Sequence, residues 1–436
     1  MTATGDNYYN AFAVYLQATA VQMGWLTAIP QFVGAMMQLF SVWLGTHVPR
    51  RHLIAGTAAA QAIVVGLIAS LAYFHPPDAV LGLTLLAVAY HGALNLIQPQ
   101  WRAWMGSIVP QRRRGTFFAS RASITMVIAL GMFVAGGGLL SFFESQQRTW
   151  LGFALLFAIA AVCRVSSSYF IWQMHDPDVP GSAEGSGAFV RTLANFRTAA
   201  QDEVFRNYTL FVAGMQAVVA ISAPFFAVYM LKDLEFSYFQ YGVCSATSIA
   251  VQFVALPFWG RFSDRYGNRL VMIITSFLLP LLPLLWIFSP NFFYLLLVQM
   301  LSGFAWSGFS LSTANYLYDI RPHRSDFATY AAVQSACGAA LVFIGAIAGG
   351  YLAASAEQVV ELLPSGLAPS NPLFVVFVTS GILRIVITLW FVPRAVEPRI
   401  RQRPQLLDVI FRVARFNAIS GLVLDWLTVS KKDPEE

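Results

Sequence analysis

Gly260-Arg261-Phe262-Ser263-Asp264-Arg265-Tyr266-Gly267-Asn268-Arg269 stands between two apolar runs, Tyr238 to Trp259 and Leu270 to Ser289. Each run is about 20 residues long, enough to cross a bilayer as a helix. A short connection rich in arginine and punctuated by glycine, set between two such runs, reads as a tight cytoplasmic turn. Gly260 and Gly267 give the backbone access to angles that branched residues disfavour. Asp264 stands where it can cap a helix start or pair with a neighbouring arginine.

The composition agrees with a chain that lives in lipid. Of 436 residues, 57% are hydrophobic and 11% charged, with a mean hydropathy of +0.61. Soluble domains carry about 25% charged residues, so the chain reads as a polytopic membrane protein. Its net charge of +6 does not indicate a nucleic-acid partner, because of where the charges lie. Arg50, Arg51, Arg112 to Arg114, Arg261, Arg265, Arg269, Arg321, Arg324 and Arg394 to Arg403 fall in alternate loops. The opposite loops carry Asp78, Glu144, Asp233, Glu235, Glu357 and Glu361 against only Arg148 and Lys232. This positive-inside pattern puts both termini in the cytoplasm of a cell (plasma or inner) membrane protein. Cys163, Cys244 and Cys337 each lie inside an apolar run and suggest neither a metal site nor a disulfide framework. No basic segment precedes an apolar run at the N-terminus, so no cleavable signal is read there.

Twelve spans follow, at about 5–20, 25–46, 53–73, 80–105, 116–143, 150–172, 206–231, 238–260, 270–289, 292–318, 328–355 and 372–393. Two further segments place apolar residues on one helical face and suggest amphipathic helices along the cytoplasmic surface. One lies in the connection between the sixth and seventh spans, with Phe189, Leu193, Phe196 and Ala200. The other, Pro404 to Val429, lies in the C-terminal tail. The domain reading is a six-helix bundle over 1–172, a linker over 173–205, a second six-helix bundle over 206–393 and a tail over 394–436.

The two halves repeat each other. Ala13-Val14-Tyr15 matches Ala227-Val228-Tyr229, Pro110 and Phe118 match Pro322 and Tyr330, Gly136-Gly137 matches Gly349-Gly350, and Arg164 matches Arg384. All these pairs keep the same order at offsets of 212 to 220 residues. With the G-x-x-x-D-R-x-G-x-R spacing, the chain resembles the major facilitator superfamily of secondary transporters. The resemblance implies an all-α membrane protein of twelve transmembrane helices in two pseudo-symmetric six-helix bundles. Two departures stand out. The first-half counterpart of the signature, Gly45 to His52, lacks the aspartate and second glycine, so the cytoplasmic latch is expected to be asymmetric. The first span also starts late: the repeat places Met1 opposite Met215, so helix one is expected to be short or the listed start truncated.

Nothing in the chain resembles an enzyme, a metal site or a cofactor site. The candidates are polar groups at membrane depth, which are costly unless paired or used. Asp6, ahead of Asn7, is a candidate for proton coupling. In the fourth span His91, Asn95, Gln98 and Arg102 share one helical face, which reads as solute contact or as interhelical hydrogen bonding. Thr27, Gln31 and Gln38 share a face of the second span. The resemblance places Gln216, Gln299, Trp306 and Gln334 on cavity helices. Solute contacts are therefore expected at Asn7, Gln31, His91, Asn95, Gln216, Gln299 and Trp306, with protons handled by Asp6 and His91. Gating is assigned to Gly260, Asp264, Arg265, Gly267 and Arg269, with Asp264 latching Arg114 or Arg121 when the cytoplasmic side is closed. Arg164 and Arg384 read as structural groups that snorkel partly towards the headgroups.

The function expected is transport of a small solute by alternating access in a lipid-embedded monomer, coupled to protons or facilitative. Alternatives on the same fold are a lipid-handling protein and a non-transporting receptor.

Overall fold

A computed structural model describes residues 8–74, 76–110, 114–175, 201–320, 324–362, 364 and 369–395. Both expected amphipathic segments fall outside the described residues, apart from the ends of the linker. The described residues form helices and turns, with no strand among them. In chain order the helices are α1 (Tyr9–Tyr15), α2 (Ala20–His47), α3 (Arg50–Phe74), α4 (Ala79–Ile108), α5 (Arg114–Ser145) and α6 (Thr149–Gln173). The second half has α7 (Glu203–Val228), α8 (Tyr238–Tyr266), α9 (Asn268–Leu278), α10 (Phe292–Ile320), α11 (Arg324–Ala354) and α12 (Leu373–Phe391). Ten helical segments are long and apolar enough to cross a membrane, and the chain is an integral membrane protein.

Several boundaries differ from the sequence reading for local reasons. The first span was expected to reach residue 20, yet α1 stops at Tyr15. Gln17 takes a left-handed backbone angle (φ 59), and the Ala18 N–H turns back to donate to the Ala13 carbonyl at 2.9 Å. That closes the helix in the manner of a Schellman motif without its usual glycine. α2 then begins five residues earlier than expected, because Thr19 and Gln22 form a capping box. The ninth span is interrupted: α9 ends at Leu278 and one short turn, Leu281–Leu285, follows Pro280. Proline has no N–H to continue the ladder and its ring crowds the preceding turn.

The opening decapeptide is mostly helix, not loop. α8 runs on through Tyr266, so Gly260 is an interior helical residue, with open space where its Cβ would be. Only Gly267 needs to be glycine, at φ 88 between α8 and α9. The turn is pinned by side chains: the Ser263 hydroxyl meets the Asn268 amide oxygen at 2.6 Å, and the Asn268 amide donates to the Asp319 carboxylate of α10 at 2.7 Å.

Within the first half α2 packs on α4, α3 on α4 and α6, and α5 on α6; within the second, α7 packs on α11 and α12, and α10 on α8 and α9. Two seams join the halves, α2 with α11 and α5 with α8. Glycine makes both crossings. A Cβ on Gly24 would lie 3.0 Å from the Gly350 Cα, and one on Gly242 would lie 3.4 Å from the Gly137 Cα. Gly24 and Gly242 are 218 residues apart, and Gly137 and Gly350 are 213 apart, so the internal repeat maps one seam onto the other. Both crossings lie towards the face with acidic loops. On the opposite, basic-loop face, Ser120 to Thr125 of α5 are six consecutive exposed residues. That is more than one helical turn, so α5 has no packed side there. The halves are closed on the acidic-loop face and parted on the basic-loop face.

Candidate functional site

The space between the halves is bounded by the two seams. On the first-half side, α4 carries His91, half-buried, with its ring edge-on to Tyr90 at 5.5 Å and to Tyr9 of α1 at 6.4 Å. Asn95 lies one turn further along and donates its amide to the His91 carbonyl at 2.9 Å. The same amide occupies the space beside Gly34 of α2, where a Cβ would come within 2.5 Å. Further along this contact, Gln100 donates to the Ser41 carbonyl at 2.7 Å and Ser41 donates to the Leu96 carbonyl at 2.6 Å. The α2–α4 contact is thus stitched by amides and a hydroxyl to backbone carbonyls, as apolar surroundings demand. Asn95 is partly committed to this stitching, whereas Gln31 on α2 is exposed. Thr27 hydrogen-bonds to the Met23 carbonyl of its own helix at 3.1 Å, and Gln38 is half-buried.

The second-half side has an analogous division. Gln334 of α11 donates to the Tyr208 hydroxyl of α7 at 3.0 Å, and that hydroxyl donates to the Thr313 carbonyl of α10 at 2.6 Å. Tyr208 is buried, so this relay ties three helices together. Gln216, two turns along α7 from Tyr208, is exposed, and its amide oxygen lies 3.0 Å from where a Gly338 Cβ would stand. Trp306 is half-buried, edge-on to Phe309 at 5.7 Å, and packs against the second-half core. Gln299 is half-buried on the same helix. The α2–α11 seam adds a ring contact between halves, Phe32 with Phe343 at 5.0 Å.

Asp6 and Asn7 lie outside the described residues, and nothing is described of the Arg102 and Arg114 side chains. Asp264 and Arg265 are exposed, Arg269 is half-buried, and Arg265 lies over its neighbour Tyr266 at 5.3 Å. Arg121 lies over the Trp101 ring of α4 at 4.1 Å, inside its own half. That arrangement belongs to a basic-loop face that stands open.

One buried cation departs from the sequence reading. Arg384 of α12 is only 2% exposed and does not snorkel. Its guanidinium donates to the Leu279 carbonyl at 3.0 Å, where α9 ends, and to the Ser222 hydroxyl of α7 at 2.9 Å. A cation at the carbonyl end of a helix is favourably placed. The break at Pro280 leaves carbonyls that the helix cannot satisfy, and Arg384 answers one of them. Sequence reasoning missed this pairing, although a proline within an apolar run and an arginine within another were both visible. It also missed Tyr208 and Tyr9, whose roles depend on which helices they face.

The model of the Major Facilitator Superfamily matches residues 208–430. Multidrug resistance protein MdtG of Proteus mirabilis (strain HI4320) is 28% identical over 181 residues, 40% of this chain and 41% of that protein. MdtG of Dickeya zeae (strain Ech586) is 28% identical over 198 residues, 44% of each chain. The chain therefore spans less than half the length of these curated relatives. In fold it is similar to a bacterial homologue of the human lysosomal transporter Spinster, in an inward-facing and unoccupied conformation. The TM-score there is 0.69 at 13% identity, covering 90% of this chain and 93% of the other. It is also similar to the nucleoside transporter NupG, with a TM-score of 0.59 at 16% identity over 88% of this chain and 92% of the other.

Proposed function

The chain belongs to the major facilitator superfamily, and from that premise we propose that it is a secondary transporter carrying a small organic solute by alternating access. One observation carries this reading: two repeat-related seams close the acidic-loop face while the basic-loop face stands open, with polar side chains lining the space between. With the basic loops in the cytoplasm, this is the inward-open state, and both termini are cytoplasmic in a cell membrane. Solute contacts fall to His91, Gln31, Gln216, Gln299 and Trp306, with Asn7 and Asn95 completing the set. Asp6 and His91 are the groups that would carry protons if transport is coupled. The likeness to multidrug resistance proteins supports a solute drawn from dissimilar organic compounds rather than one metabolite. The superfamily's chemistry is transport, and no reaction is assigned to the chain.

The test is a thermal-shift screen of the purified protein across sugars, amino acids, organic anions, nucleosides and amphiphiles. A ligand at 100 times its dissociation constant adds about 2.7 kcal/mol of stability. A dose-dependent hit that weakens in His91→Ala and Gln216→Ala places the solute between the halves. A hit indifferent to both, or one that never crosses a proteoliposome membrane, overturns the proposal.

A further inference from the structure

The two seams are repeat-related but unequal, and the difference lies at their acidic-loop ends. The N-terminus of α8 has its own capping box, in which the Gln240 N–H donates to Ser237 Oγ at 3.2 Å and the Ser237 N–H donates to Gln240 Oε1 at 3.0 Å. The amides of Tyr238 and Phe239 have no partner within their helix, as at any helix start. They are met from the other half of the molecule. Phe239 N–H donates to the Ser141 hydroxyl of α5 at 2.9 Å, and Tyr238 N–H donates to the Glu144 carboxylate one turn further along. On the companion seam, Thr19 and Gln22 build the matching capping box 218 residues earlier. The positions 213 residues beyond Ser141 and Glu144 are Ala354, which has no polar side-chain atom, and Glu357, which is exposed beyond Ser355. Only the α5–α8 seam therefore joins the halves through a helix N-terminus capped in trans.

We propose that Glu144 is a proton-binding site on the acidic-loop face: its carboxylate latches α8 to α5, and its protonation releases the latch. This rests on the alternating-access reading. A carboxylate at a helix N-terminus gains both a charge-assisted hydrogen bond and the attraction of the helix dipole. A proton taken from water removes the charge, and the neutral carboxyl keeps only a weaker acceptor. Glu144 is exposed, so it samples the pH of the acidic-loop side directly. The titratable groups that meet this corner are the Tyr238 phenol of α8 and the Tyr15 phenol of α1. Along its own chain the next charged group is Arg148, beyond the turn into α6. Ser141 is the part of the latch that does not titrate, and Gly137, against the Tyr238 carbonyl, sets the distance at which both bonds form.

The experiment measures spin-label distances between Asp78→Cys and Ser370→Cys on the acidic-loop face of the full chain in nanodiscs. The background carries Cys163→Ala, Cys244→Ala and Cys337→Ala, and spectra are taken at pH 7.5 and pH 4. The expected result is a longer-distance population that rises about fivefold on acidification. Glu144→Gln should show that population already at pH 7.5 and lose the pH response. Ser141→Ala should raise the open population and keep the pH response. A Glu144→Gln protein that still responds to pH, or stays as closed as the parent, overturns the latch while leaving alternation intact. A parent whose distance is fixed at both pH values, and in Gly137→Ala, overturns the alternation reading as well.

Discussion

Gly137→Ala is the perturbation whose effect follows most directly from the geometry. A Cβ at Gly137 would stand 2.7 Å from the Tyr238 carbonyl oxygen and 3.2 Å from the Phe239 Cα. Both neighbours are backbone, so neither can rotate away. To reach an ordinary 3.4 Å contact the start of α8 must retreat by about 0.7 Å, which stretches the Phe239 to Ser141 bond now at 2.9 Å. Overpacking of this kind costs about 1–3 kcal/mol. Alanine also gains about 0.5–1 kcal/mol of helix stability over glycine. That gain does not offset the clash in the conformational equilibrium, because α5 is helical whether the halves are closed or open. The clash exists only in the closed state. The open-to-closed ratio of the acidic-loop face should therefore rise about 5- to 150-fold.

The assay is the same distance measurement across the acidic-loop face, supported by labelling of a cysteine placed inside the cavity from that side. Gly131→Ala serves as the internal control, since it lies on the same helix and its Cβ would meet nothing within 4 Å. It should gain the helix propensity and leave the distances alone. Equal distance distributions in Gly137→Ala and the parent would refute the reasoning. So would a shift of equal size in Gly131→Ala, which would trace the effect to helix propensity instead of contact.

Three further outcomes are expected. Arg384→Ala leaves the Leu279 carbonyl without its donor and empties a packed site, at a combined cost of about 2–5 kcal/mol, read as a lower melting temperature in detergent. An unchanged melting temperature would show that relief of the buried charge offsets both losses. Tyr208→Phe orphans the Gln334 amide and the Thr313 carbonyl together, costing about 1–3 kcal/mol, with the loss largely absent when Gln334→Leu is already present. Asp264→Asn should leave the melting temperature of this state unchanged, because Asp264 is exposed here, while lowering the population closed on the basic-loop face. Unaltered inward and outward populations would remove Asp264 from the gate.

The parts of the fold legible in the sequence were those written in hydropathy and charge. The spans, the repeat and the alternation of basic and acidic loops follow from solvation of apolar surface and of ions, which each residue carries with it. Helix interruptions were less legible because proline alone does not decide them. Pro30, Pro99, Pro224 and Pro257 all sit inside continuous helices, whereas Pro280 coincides with a break. What distinguishes Pro280 is a buried arginine on another helix that accepts the freed carbonyl end, and that is a tertiary fact. The candidate site shows the same limit. His91 and Asn95 were found as a polar face, yet only the structure separates an amide partly bonded to its own helix from an exposed one such as Gln216. Amides carry both functions, and sequence spacing identifies a face without identifying what lies opposite.

The glycines make the complementary case. Gly137 and Gly350 were visible as a repeated pair, but their partners Gly24 and Gly242 were not, because an isolated glycine in an apolar span carries no periodic signal. Once the crossings are known, the offsets of 213 and 218 residues make the seams copies of each other. Two copies of one contact would give a gate whose halves part symmetrically and respond to nothing but solute. Replacing the position equivalent to Ala354 by Ser141, and setting a carboxylate at Glu144 over a helix N-terminus, breaks that equivalence at one end of one seam. A charge in that place strengthens closure only while it is ionised. The asymmetry is therefore where a scaffold built by duplication acquires a response to protons without altering the packing that both seams share.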